Sequence, residues 1–221
     1  MSDTQRENCP MSVRSSGRRV LLRLMLVTIA VAVGWGRPAS ASDITAPVEQ
    51  LHAGLMSIMK AGKTASFRQR YETIAPVIGQ IFDLETILRQ VVGPRWPSLP
   101  ADQQAALADA FRRYTIASYV ANFDTYSGQS FDTGPVVRPV GNDRVVETRI
   151  ASAGGKVHAL DYVMRQERGG WKVVDVLAEG SISRVASQRS EMRSLLADGG
   201  GAELLVSLRQ KTAELSGGIL Q

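Results

Sequence analysis

Polar and apolar residues alternate along residues 142–180, and this alternation predicts three β-strands in a meander joined at Gly154-Gly155 and Gly169-Gly170. Glycine pairs permit the positive φ angles that tight hairpin turns require. In the first strand Val146, Thr148 and Ile150 oppose Val145, Glu147 and Arg149, and in the second Leu160, Tyr162 and Met164 oppose Asp161, Val163 and Arg165. Side chains alternate across a strand, so the Leu160 side is the more apolar. The third strand sets Trp171, Val173 and Leu177 against Val174 and Val176, which predicts at least partial burial of both faces. Ahead of the meander, Val136 to Val140 reads as a short strand that Pro135 and Pro139 confine to a sheet edge.

Elsewhere the apolar spacing is helical. Thr45 caps a helix with Pro47 in its first turn, carrying Val48, Leu51, Leu55, Ile58 and Met59 up to Gly62. A second helix runs from Ser66 towards Ile74, and Pro76 opens another with Val77, Ile78, Ile81 and Phe82. Asp83 then caps a stripe of Leu84, Ile87, Leu88, Val91 and Val92 that stops at Gly93. Residues 94–100 are too rich in proline for either regular state. The longest helix, Ala101 to Tyr126, repeats Leu107, Phe111, Tyr114, Ser118 and Ala121, with small alanines that permit close approach or leave room beside it. After the meander, Ser183 caps a helix with Val185, Met192, Leu195 and Leu196 that ends at Gly199-Gly200-Gly201, and a last helix carries Leu204, Leu205, Leu208 and Leu215. This order predicts an α+β fold, with helices wrapped around one curved antiparallel sheet. The surplus of aliphatic faces fits either a dense core or an apolar pocket.

The N-terminal segment changes how the charge reads. Arg14, Arg18, Arg19 and Arg23 precede ten uncharged, mainly apolar residues, Leu24 to Val33, followed by Ala39-Ser40-Ala41. Such a run spans roughly 15 Å as a helix, about half a bilayer's hydrocarbon core, so it predicts a signal peptide over residues 1–41 rather than an anchor. The Gly17-Arg18-Arg19 stretch also approximates a twin-arginine signal, so two export routes fit. Cleavage after Ala41 removes six arginines and two acids from the 26 basic and 21 acidic residues, which leaves a net charge of +1. The basic balance therefore belongs to the leader, and a nucleic-acid partner loses its electrostatic support. Cys9, the only cysteine, leaves too, so residues 42–221 contain no disulfide and no thiolate chemistry. Their 180 residues suit a single domain, with a core large enough to keep a cavity.

Candidate chemistry is sparse. His52 and His158 lack a second histidine at ligand spacing, so no metal or other cofactor is expected. Asp83 with Glu85 reads as a helix cap and its first-turn neighbour. Asp161 and Asp175 lie inside strands, where a carboxylate is either a buried general base or an outward residue paired with arginine. There is no G-x-S-x-G, P-loop or G-x-G-x-x-G motif, and no catalytic residue is assigned.

Several strings resemble the periplasmic MlaC-type, or toluene-tolerance, family. They are Asp83-Leu84-Glu85 with Val92-Gly93 and Trp96; Gln103-Gln104 to Phe111, then Tyr119; and Tyr162 with Gly170-Trp171-Lys172-Val173-Val174-Asp175-Val176. Glu179-Gly180-Ser181-Ile182-Ser183, Arg189 and Met192 continue the likeness, which covers roughly residues 45 to 212. It implies a non-enzymatic periplasmic carrier, monomeric, that takes phospholipid between inner- and outer-membrane transport complexes with acyl chains held between sheet and helices. Ser187-Gln188-Arg189 departs from the family's usual string and resembles its hopanoid-associated branch, so phospholipid and hopanoid both remain as cargo. On this reading Val91, Phe111, Val146, Ile150, Leu160, Tyr162 and Met164 are the expected lipid contacts. The rival readings are a cone-shaped α+β enzyme acting on a small apolar substrate and a non-catalytic periplasmic adaptor.

The leader predicts an exported chain that begins at Ser42. Intact-mass measurement of the secreted protein should match residues 42–221, and a mass that retains residues 1–41 overturns the cleavage.

Overall fold

Strand pairing follows chain order. The computed structural model describes residues 41–196 and 201–220. Its strands β1 (Ser130–Val140), β2 (Asp143–Ala151), β3 (Val157–Glu167), β4 (Gly170–Ala178) and β5 (Ile182–Ser183) form one open antiparallel sheet in the order β1-β2-β3-β4-β5. β1 is an edge strand as expected, but it begins six residues earlier than Val136, and its register slips between Thr133 and Val137, around Pro135. The turn between β2 and β3 is longer than a glycine pair: Ser152 N–H donates to the Lys156 carbonyl at 2.9 Å, and Gly155 takes a φ of +77°. β5, too short to show a period, was not predicted.

One sheet face carries the core. Val137, Val146 and Tyr162 pair in succession across β1, β2 and β3, and Tyr162 pairs on with Val176 of β4. Val163 opposes Asp175 while Met164 opposes Val173, so Val174 is an extra residue in β4. That bulge reverses the alternation beyond it. The expected grouping of Val173 with Leu177 is therefore corrected: Val173 and Val176 share the core side, and Leu177 turns outward opposite Asp161. On the outer face Val145 and Val174 are also buried, and Arg165 forks onto Asp143 with bonds of 2.9 and 2.8 Å.

Helices cover the core face. α1 (Ala41–Ala61) buries Val48, Leu51, Leu55 and Ile58 completely or nearly so, and ends before Gly62 as its spacing predicts. It starts four residues before Thr45; the predicted leader lies outside the described residues except for Ala41 itself. α2 (Phe67–Ile81) is one helix rather than the two expected around Pro76. Proline there removes only the bond to the Glu72 carbonyl, and both residues are exposed, so water can take that carbonyl while the Ile74–Ile78–Ile81 stripe holds the helix down. α3 (Leu84–Val92) is capped by Asp83, which accepts from Thr86 N–H at 2.9 Å, and stops at Gly93 with φ +70°. The proline-rich stretch is a 3-10 turn, Gly93–Ser98, held by the Gln104 amide donating to the Trp96 and Leu99 carbonyls. α4 (Ala101–Asn122) ends four residues short of Tyr126. α5 (Arg184–Met192), capped by Ser183 as predicted, gives way to a 3-10 turn at Ser194–Leu196, well before the glycine run, whose first two residues lie outside the described ones. α6 (Ala202–Ser216) packs on α4. No helix among the described residues is long and apolar enough to cross a membrane.

α1 presses His52 into this core. Its ring stacks on Phe131 at 4.5 Å and tilts against Tyr162 at 5.6 Å, and Nε2 has no hydrogen-bond partner within the protein. Burial lowers its pKa from 6.5 to about 4. The unfolded chain therefore binds this proton more readily than the folded one, so stability is full above pH 6.5 and falls as pH drops from 6.5 towards 4. Urea unfolding near neutral pH and at about pH 4.5 should show a loss attributable to His52 of at most about 3 kcal/mol. His52→Phe should abolish that component; an unchanged pH dependence would assign the acid sensitivity elsewhere.

Candidate functional site

An aromatic-walled cavity of about 380 Å³ lies between α3, α4, α5 and the β3–β4 end of the sheet. α4 supplies its longest wall because Phe111, Tyr114, Thr115, Ser118, Tyr119 and Asn122 recur at intervals of three and four on one helical face. Leu84 and Ile87 of α3, Leu160 of β3, and Val176 and Ala178 of β4 face them, with Phe82 and Phe123 at the helix ends. α5 closes the remaining side with Arg184, Val185 and Gln188. Rings continue inward from this wall: Phe82 contacts Tyr119 at 5.6 Å, Tyr119 contacts Phe123 at 6.0 Å, and Phe123 contacts Phe131 at 6.1 Å.

Polar side chains are interspersed along the lining, and several are committed to the fold. Ser118 Oγ donates to the Tyr114 carbonyl, and the Asn122 amide donates to the Ser118 carbonyl, each at 2.8 Å. Asp175 accepts from Val176 N–H at 2.7 Å, from Val185 N–H at 3.1 Å and from the Ser183 hydroxyl. Its carboxylate thereby pins the positive end of α5 to β4. Thr115 Oγ1 is buried without a partner. Desolvation raises the Tyr119 pKa, opposed by the Arg184 guanidinium, and burial raises that of Tyr162 still further above the ordinary phenol value. Both phenols are therefore neutral, and the cavity's one cation, Arg184, stands exposed at its lip.

Neither strand aspartate pairs with an arginine among the described residues. Asp161 is buried and accepts from Thr148 N–H at 3.1 Å through Oδ1, while Asp175 serves the α5 terminus, one oxygen held by backbone N–H groups and the other by the Ser183 hydroxyl. His158 faces Glu179 at 2.7 Å on the exposed rim of β3. Among the described residues, no three metal-ligating side chains gather.

Of the residues expected to contact lipid, Phe111 and Leu160 line the cavity. Val146, Tyr162 and Met164 are fully buried in the core, Ile150 is half-buried between Phe131 and His158, and Val91 floors a separate depression beside Arg95, Arg189 and Arg193. Periodicity singles out the positions most completely buried, and those fill the core. Cavity walls instead mix aromatic and polar residues, as at Tyr114, Thr115, Tyr119 and Gln188, and the readable signals were the Phe111–Tyr114–Ser118 spacing on α4, the Leu84–Ile87 stripe on α3 and the apolar Leu160 side of β3.

With this geometry in view, a family model described as MlaC protein matches residues 49–210. Among solved structures, a phospholipid-binding protein from Ralstonia solanacearum, determined in complex with a phospholipid, superposes with a TM-score of 0.68 at 20% identity, covering 79% of this chain and 99% of that one. No curated protein matches the sequence significantly.

Because three donors converge on Asp175, its removal should be felt in stability. Asp175→Ala is expected to lower the unfolding free energy by about 1–3 kcal/mol in urea titrations. A variant as stable as the parent would remove Asp175 as the anchor of α5.

Proposed function

The chain belongs to the MlaC protein family, and from that premise we propose that it is a non-enzymatic carrier whose cargo is a phospholipid, with an acyl chain seated between α4 and the sheet. The observation that carries this reading is the cavity itself: apolar and aromatic walls, neutral phenols and a single guanidinium at the lip. The Ralstonia protein's bound phospholipid supports the same class of cargo. Counting a methylene at about the 30 Å³ of a water, 380 Å³ accommodates about a dozen methylenes of one chain. Their burial contributes about 10 kcal/mol before the cost of ordering the lipid, so retention needs no charged clamp. A two-chain lipid seats one chain here and needs added room for the other. Asp175 has both oxygens engaged, one by backbone N–H groups and the other by the Ser183 hydroxyl, and Asp161 does not line the cavity, which disfavours the enzymatic alternative.

The predicted leader and the family support a periplasmic location, where such a carrier, acting as a monomer, would move lipid between inner- and outer-membrane complexes. A hopanoid-type cargo is the second reading, because Gln188, in the middle of the Ser187-Gln188-Arg189 departure, stands on the cavity wall. Few polar wall groups suit release as well as capture, since tight headgroup pairing would hold the cargo after docking.

Native mass spectrometry of the mature protein, followed by organic extraction, should recover bound phospholipid. Recovery of a polycyclic lipid alone selects the hopanoid reading, and a protein that stays empty after incubation with both classes overturns carriage. Leu160→Asp should cut retained lipid at least tenfold with unchanged circular dichroism, because it desolvates a charge in the cavity wall. A folded Leu160→Asp protein that retains lipid like the parent removes Leu160 from the lining.

A further inference from the structure

Arg95, Arg189 and Arg193 converge around a shallow depression of about 290 Å³ at the junction of α3, the following 3-10 turn and α5. Its floor is apolar, with Val91 and Leu196 among its residues, and among the described residues no carboxylate lines it. Four arginines among the described residues face acids: Arg89 meets Glu85, Arg113 meets Asp109, Arg138 meets Glu147 and Arg165 meets Asp143. Arg189 and Arg193 meet none. They stand four residues apart, Arg189 in the last turn of α5 and Arg193 at its C-cap, a spacing at which like charges repel. The guanidiniums are nevertheless held in place. Arg95 Nη1 donates to the Leu196 carbonyl, and Arg189 lies against Gly93 so closely that a Cβ there would come within 3.1 Å of it.

We propose that this basic depression is a docking face for the phosphate headgroups of an anionic bilayer. Guanidinium forks match phosphate oxygens in pairs, and an anion seated between Arg189 and Arg193 relieves their mutual repulsion. A volume of about 290 Å³ accommodates a single headgroup, with the apolar floor meeting the glycerol end. With residues 42–221 near neutrality, attraction arises from this patch rather than from net charge, so it acts only within a Debye length of the surface. α3 and α5 also wall the cavity, so docking here brings two of its walls to the membrane.

Cosedimentation of the mature protein with phosphatidylcholine vesicles and with mixed phosphatidylcholine–phosphatidylglycerol vesicles tests this. The parent should bind the mixed vesicles selectively and release in high salt. The double variant R189Q/R193Q should bind them roughly thirtyfold more weakly with unchanged circular dichroism. Arg184→Gln, at the cavity lip, should bind like the parent, which separates this face from cargo uptake and keeps the result readable even if the cavity holds no lipid. Equal binding by the double variant overturns the proposal, as does a parent indifferent to phosphatidylglycerol. A loss with Arg184→Gln as large as with the double variant also overturns it. Arginine-dependent capture of polyglutamate in place of vesicles reassigns the face to an acidic protein.

Discussion

Keeping water from one face of the sheet governs the placement of the helices that cover it, and α6 rests on α4 in turn. Val146, Tyr162, Met164 and Val173 need cover, and α1 and α2 supply close aliphatic layers through Leu51, Leu55, Ile74 and Ile78. At the β3–β4 end the cover changes character. Leu160, Val176 and Ala178 meet α4 across a space that Phe111, Tyr114 and Tyr119 line but do not fill. The cavity is thus a consequence of which residues cover the sheet there, not of a break in the fold.

A second constraint holds that opening's far wall. α5 is nine residues long, and a helix this short has little stability of its own. It is fastened by Asp175 of β4, by the Ser183 hydroxyl that accepts from Ala186 N–H at 2.9 Å, and by burial of Val185 and Met192. The α2–α3 junction is tied to the same strand, since Asp83 N–H donates to the Val173 carbonyl at 3.0 Å. β4 therefore anchors two cavity walls at once. On the opposite flank, Arg70, buried beneath the helices, donates to the Val120 carbonyl at 3.0 Å and joins α2 to α4.

Electrostatics follow the same division. Three titratable groups beside the sheet are held neutral, His52 by a lowered pKa and Tyr119 and Tyr162 by raised ones, because desolvation disfavours their charged forms. Cations gather instead at the edges of α5, where Arg184 borders the cavity and Arg189 and Arg193 border the basic depression. One short helix thereby joins an uncharged interior to a charged rim.

By itself, the sequence determined the α+β class, the edge position of β1, the order of the meander, and the caps at Asp83 and Ser183. Each of these depends on local chemistry: alternation, the proline ring, glycine at positive φ, or a side-chain oxygen reaching its own helix. The continuity of α2 through Pro76, the phase change at Val174 and the duties of Asp161 and Asp175 were decided only by the tertiary structure, since each depends on partners distant in the chain. The cavity belongs with them. Val146 and Met164 look like pocket residues for the same reason that Phe111 and Leu160 do, because periodicity reports that a side chain leaves water. Whether it then meets another side chain or an open space depends on how closely a helix from elsewhere in the chain can approach.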